Sequence, residues 1–138
     1  MAKNCRSGAK WEENVDLNTA NNAVSGQPVL VSQLIGTVET AEVAGHSVVN
    51  CAANAVYEHP VRNVRTYDQT GGEATWGAIA EGDYIYIDLV SALPAGVYLS
   101  TSPLNDLGVA NKIFGKAQTA DATAIAKTCT IDVQQVQV

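Results

Sequence analysis

One eight-residue phrase occurs twice in the chain, as Leu34-Ile35-Gly36-Thr37-Val38-Glu39-Thr40-Ala41 and as Ile113-Phe114-Gly115-Lys116-Ala117-Gln118-Thr119-Ala120. Both copies read apolar, apolar, Gly, polar, apolar, polar, Thr, Ala. In each, a β-prone run reaches a glycine that can bend or bulge the backbone, then continues as an alternating strand. Each copy also follows a strand of the form Gly-x-x-apolar-x-apolar, Gly26 to Val31 before the first and Gly82 to Ile87 before the second. After each, a strand ends in a cysteine, Cys51 or Cys129. The expectation is an all-β fold, a β-sandwich or small β-barrel built from two similar β-units facing one another across a core, with an extended N-terminal arm.

At 138 residues the chain is one domain's worth. Charged residues make up only 16% of it, while Val, Ala, Thr, Asn and Gly are plentiful, a balance that favours short strands over helices. Residues 1–24 read as the arm, with Asn14, Asn18, Asn21 and Asn22, scattered charge, and Trp11 as its aromatic side chain. Residues 25–138 read as a single β-rich domain with a long loop excursion at 90–111, a stretch punctuated by Pro94, Gly96, Pro103 and Gly108.

Within that domain Val29–Ile35 reads as a strand ending at Gly36. Thr37–Val43 alternates and turns at Ala44-Gly45-His46 into a strand from Ser47 to Ala52. Pro60 argues that the run Ala55–Val61 ends or edges a sheet, because proline cannot donate to a ladder. Residues 62–75 read as a polar loop with its tip at Gly71-Gly72. Tyr84–Leu89 is a strand by propensity and period, with Tyr84 and Tyr86 on one face and Ile85 and Ile87 on the other. Ala124–Val133 has strand character, and residues 134–138 fade out.

Little in the chain promises chemistry. A net charge of −6 and a pI near 4.7 argue against nucleic acid as a partner, since phosphate contacts need clustered Lys and Arg. No stretch approaches a membrane span, and a cytoplasmic site of synthesis is expected. Cys5, Cys51 and Cys129 lack the spacing of a zinc knuckle. They read as small buried hydrophobes, with a Cys51 to Cys129 disulfide as the alternative. His46, in a turn, and His59, before a proline, are expected in exposed structural roles. A Cys51, His59 and Asp68 nucleophile set can be written down, yet no oxyanion loop accompanies it and no positive neighbour lowers the thiol pKa. Asp83 and Asp88 flank the tyrosine strand without the loop a calcium site requires. No catalytic residue, no metal and no cofactor is therefore expected.

From about Ser25 to Val133 the chain resembles the capsid decoration, or cement, proteins of tailed phages. The phrases that carry the resemblance are Gly26 to Val31, Ile35 to Val38, the Val-Tyr-Glu-x-Pro step at Val56 to Pro60, Gly82 to Tyr86, and Phe114 to Ala117. Ala55 and His59 depart from it, standing where a glycine and an apolar residue are common. The resemblance implies a non-enzymatic virion protein on the outer capsid surface. Such a protein binds the major capsid protein, bridges neighbouring subunits as a homo-oligomer, a dimer or trimer, and stabilises the head. Capsid contacts are then expected in the arm, at Lys3, Arg6 and Trp11. Self-association is expected on the Tyr84/Tyr86 face or the excursion. The alternative is a virion-surface carbohydrate- or receptor-binding β-domain using Tyr84, Tyr86, Trp76 and Tyr98.

Overall fold

The computed structural model describes the backbone of residues 5–7, 14–18, 23–70 and 72–137, and the side chains of the last two ranges apart from Glu42. Twelve strands run along these residues and no helix occurs among them. The first six are β1 (Cys5–Ser7), β2 (Asn14–Asn18), β3 (Pro28–Val31), β4 (Leu34–Val43), β5 (His46–Asn50) and β6 (Val56–Arg62). They are followed by β7 (Val64–Tyr67), β8 (Glu73–Trp76), β9 (Tyr84–Ile87), β10 (Leu99–Ser100), β11 (Lys112–Ala117) and β12 (Thr128–Gln135). The class is all-β and sandwich-like: a four-stranded sheet, β2-β5-β4-β3, lies against a six-stranded one, β1-β6-β10-β9-β11-β12, in which β6 also pairs with β12. A separate hairpin, β7-β8, occupies much of the stretch expected to be loop. Two pieces of the expected arm, β1 and β2, run along β6 and β5.

The two repeated phrases are two copies of one three-stranded unit, β3-β4-β5 and β9-β11-β12. Gly26 and Gly82 open them in the same left-handed conformation, with φ of 89° and 91°. Gly26 N donates to Val38 O at 2.7 Å, and Gly82 N to Ala117 O at 2.8 Å, the fifth position of each phrase. Val38 N and Ala117 N return bonds to Gln27 O and Asp83 O, both at 2.9 Å. The register continues in step: Val29 faces Gly36 as Ile85 faces Gly115, and Val38 faces Val49 as Ala117 faces Val133.

The phrase glycines explain why the pattern tolerates no side chain there. A Cβ on Gly36 would stand 2.5 Å from Val49 Cγ1 and 2.8 Å from Asn50 O. On Gly115 it would stand 2.8 Å from Val133 Cγ1 and 2.2 Å from Gln134 O, the corresponding atoms of the second unit. Each glycine thus admits the next strand at backbone distance. The units meet through the second position of each phrase, because Ile35 and Phe114 are fully buried in one cluster with Val61, Ile85, Leu99, Ile131 and Val133.

Several local readings differ from the sequence expectation. Val29–Ile35 is a hairpin rather than one strand: Ser32, at φ 56°, and Gln33 turn the chain, and Gly36 lies inside β4. The cysteines are not equivalent, since in register Cys51 corresponds to Gln135; both thiols are free. Pro60 lies within β6 rather than at its end. The bonds Gln135 N to Ala55 O and Asn63 N to Lys127 O place the odd residues of β6 against β12, so its even residues face the other side. There β1 reaches Val56 and Tyr57 and β10 reaches Val61 and Arg62, leaving Pro60 opposite no strand among the described residues. A missing N–H costs nothing at such a position. Pro28 is placed similarly on β3, the end strand of its sheet: Val29 and Val31 bond to β4, and Pro28 and Leu30 turn their backbone polar groups outward.

Gly36→Ala and Gly115→Ala are each expected to cost about 1–3 kcal/mol of stability by forcing strands apart. Gly115→Ala should be the worse, because a carbonyl oxygen stands nearest. Urea unfolding of the two variants checks this, and an unchanged midpoint for both would refute the close-approach account.

Candidate interaction surface

Three titratable groups, Glu39, Tyr57 and His59, are sealed between the sheets. Ile35, Thr37 and Glu39 point from β4 toward the six-stranded sheet, and beyond Ile35 the contact becomes polar. Gln135, fully buried on β12, donates its amide to Asn50 O at 3.1 Å and Ala52 O at 3.0 Å. That fixes the orientation of its carboxamide, so its oxygen accepts the Thr37 hydroxyl at 2.6 Å. Having given up its hydrogen, Thr37 Oγ1 can only accept from His59 Nε2, 3.1 Å away. His59 is therefore the neutral tautomer protonated at Nε2, and its Nδ1 has no hydrogen-bond partner. Beside it, Tyr57 OH donates to the Glu39 carboxylate and accepts from Asn50 Nδ2 at 2.9 Å.

This arrangement overturns the expectation of an exposed His59. The ring is fully buried, 6.0 Å from the Tyr57 ring and edge-on to Phe114 at 5.5 Å, and burial lowers its pKa to about 3. His46 is exposed at the start of β5. Cys51, His59 and Asp68 are not brought together as a nucleophile set. His59 Nε2 is committed to Thr37, and Asp68 Oδ1 accepts from Thr70 N and Gly72 N in the β7–β8 loop. Burial raises the thiol pKa of Cys51 and of Cys129, the opposite of what a nucleophile needs. Asp83 accepts from Ala80 N and pairs with Arg65, while Asp88 accepts from Val90 N and Ser91 N. Among the described residues no three His, Cys, Asp or Glu side chains are placed to hold a metal.

On β9, Ile85 and Ile87 enter the core as expected; Tyr84 is exposed and Tyr86 half-buried on the outer face. Lys116 Nζ lies 5.2 Å above the Tyr84 ring, a cation–π contact across the β9–β11 pair. Trp76 is also exposed, whereas Tyr98 lines an open cleft of about 550 Å³ with Pro28, Pro60 and Gly96. The side chains of Lys3, Arg6 and Trp11 lie outside the described residues.

The excursion is the most distinctive surface, and it is not a loose loop. Val97 and Leu99 anchor it in the core, and β10 pairs with both β6 and β9. Asp88, 2% exposed, caps the backbone N–H groups of Val90 and Ser91. Asn105 Oδ1 accepts from Leu107 N and Val109 N at 2.9 and 3.0 Å, and Ser91 Oγ accepts from Asp106 N at 3.0 Å, fastening the two ends of the stretch together. On this frame Leu89, Val90, Leu104, Leu107 and Val109 remain 47% to 68% exposed. The apolar residues in 90–111 were visible in the sequence, but nothing there told which would be swallowed and which displayed. No protein-family model, characterised protein or solved structure matches this chain.

The buried histidine makes acid lability a quantitative expectation. Above pH 6.5 His59 is neutral folded or unfolded and pH has no effect through it. As pH falls below 6.5 the unfolded chain takes up a proton that the folded chain refuses until about pH 3. The stability advantage of wild type over His59→Gln should therefore narrow by about 3 kcal/mol between pH 7 and pH 4. Denaturant titrations at the two pH values measure it, and a constant difference would rule the sealed neutral ring out.

Proposed function

We propose that the chain is a non-enzymatic structural protein of a virion, one that binds the outside of an assembled phage capsid, bridges neighbouring major capsid subunits and stabilises the head. The observation that carries this reading is the ordered excursion bearing exposed Leu89, Val90, Leu104, Leu107 and Val109 on a β-core in which Glu39, Tyr57 and His59 are committed to bonds between the sheets. The order and spacing of the cement-protein phrases from Gly26 to Ala117 supply the partner. Multivalent attachment is what makes such a role feasible: when one oligomer engages several capsomers, later contacts form at high effective concentration, so each can be modest. In this reading Lys3, Arg6 and Trp11 contact the capsid, the partner is the major capsid protein, and the location is the outer capsid surface after synthesis in a bacterial cytoplasm.

The test is rebinding of the purified chain to tailed-phage capsids that lack it. Saturable binding and a raised capsid disruption temperature are expected, and absence of saturable binding overturns the reading. Trp11→Ala should weaken binding about tenfold or more, as loss of an aromatic anchor does. Unaltered binding would remove the arm from the contact.

A further inference from the structure

We propose that the seam between the two sheets is an acid-operated release, in which uptake of a proton by His59 frees the four-stranded sheet β2-β5-β4-β3 while the strands around Phe114 stay closed. The inference is independent of any partner and of the structural role proposed above.

The two sheets differ in what holds each together. Because β6 pairs with both β10 and β12, the strands β6, β10, β9, β11 and β12 are joined in an unbroken ring of backbone bonds. Of the buried cluster around Phe114, only Ile35 comes from the four-stranded sheet, with partly buried Leu30 packed against it. The ring therefore keeps nearly all of that core when the sheets part. The four-stranded sheet has a smaller cluster of its own, Ala23, Val29, Val38 and Val49, and depends on the seam. Beyond Ile35 that seam is polar: Thr37 and Glu39 on β4 meet His59 and Tyr57 on β6 and Gln135 on β12.

His59 is the member of the seam that cannot stay bonded once charged. Its Nε2 already gives a hydrogen to Thr37 Oγ1, and a second hydrogen on Nδ1 would meet no acceptor, since that atom is buried without a partner. Among the described residues, the titratable groups on the elements around the ring are Glu39 on β4 and Tyr57 on β6, and these are bonded to each other. The neighbours from β5, β11 and β12 are Asn50, Phe114, Ile131 and Gln135, none of which titrates. An imidazolium here carries one unsatisfied hydrogen in a low dielectric, and it is satisfied only by admitting water, which parts the sheets. Closed, the ring holds no proton on Nδ1 until about pH 3; opened, it returns to the ordinary value of about 6.5. Between pH 7 and pH 5 the opened form thus takes up a proton that the closed form excludes, and the opening equilibrium should rise about 25-fold.

The experiment is amide hydrogen exchange of the full chain at pH 7 and pH 5, corrected for intrinsic rates. Two matched reporters read it: Val38 N, bonded to Gln27 O in the four-stranded sheet, and Ala117 N, bonded to Asp83 O at the equivalent place in the ring of strands. Val38 is expected to be less protected than Ala117 at both pH values, and its protection should fall about 25-fold on acidification. In His59→Gln, which leaves exposed His46 in place, that fall should vanish, and in Glu39→Gln it should persist. Equal protection of the two amides at both pH values would mean that the sheets open as one unit, and overturns the proposal. Protection of Val38 that ignores pH overturns it too, as does a fall that survives in His59→Gln or disappears in Glu39→Gln. Should either variant fail to fold, the wild-type comparison of Val38 with Ala117 still separates release of one sheet from unfolding of both.

Discussion

The carboxamide of Gln135 is the joint on which the two sheets are set. From β12 it reaches the backbone of residues 50 and 52 with its nitrogen and the Thr37 hydroxyl with its oxygen, so one side chain ties the six-stranded sheet to β4 and to the end of β5. Its directionality passes outward: the hydroxyl hydrogen goes to Gln135, the imidazole hydrogen goes to the hydroxyl, and the remaining ring nitrogen stays bare. Apolar packing around Ile35 and Phe114 supplies most of the drive to close the sheets, but it is tolerant of sliding. A chain of directed bonds is not, and a half-satisfied one is costly in a low dielectric. The next residues repeat the function, with Val136 N bonded to Phe114 O and Gln137 Nε2 to Ile35 O and Cys51 O. The two phrases are thus stitched by the segment that follows β12.

The duplicated architecture was legible in the sequence because its constraint is local. A glycine without room for a Cβ, a left-handed glycine ten residues before the first and 33 before the second, and alternating apolar residues between them leave marks that survive divergence elsewhere. What was not legible was decided by distant partners. Cys51 and Cys129 end similar-looking runs, but register is set by pairing, and pairing aligns Cys51 with Gln135. Ser32-Gln33 carries none of the glycine or asparagine that announces a two-residue hairpin, and Ser32 adopts the left-handed conformation because the flanking strands require it. Pro60 reads as a strand end until a strand is found whose far side is deserted at that residue. His59 reads as exposed because a polar ring beside a proline usually is, whereas here Thr37, 22 residues earlier, gives it a partner.

The candidate surface divides in the same way. The alternation of Tyr84-Ile85-Tyr86-Ile87 was enough to assign its two faces. For the excursion, composition showed a long departure from the repeat but could not reveal that buried Asp88, Ser91 and Asn105 would make it a rigid mount. Polar residues buried to hold a loop look, in sequence, like polar residues at the surface. The aliphatics beside them look like core. In this stretch buried Asp88, Ser91 and Asn105 stand beside exposed Leu104, Leu107 and Val109, so hydropathy alone does not tell which side chain is inside.

The proline on β3 has a consequence for how copies of this molecule can meet. Its counterpart in the second unit, Tyr84, lies on β9, a strand flanked by others on both sides; Pro28 lies where its sheet stops. Of the two residues that turn backbone groups outward there, one has no hydrogen to offer. An arriving strand finds a single donor, at Leu30, and cannot extend the ladder. Addition of a further strand to the sheet is disfavoured at that edge.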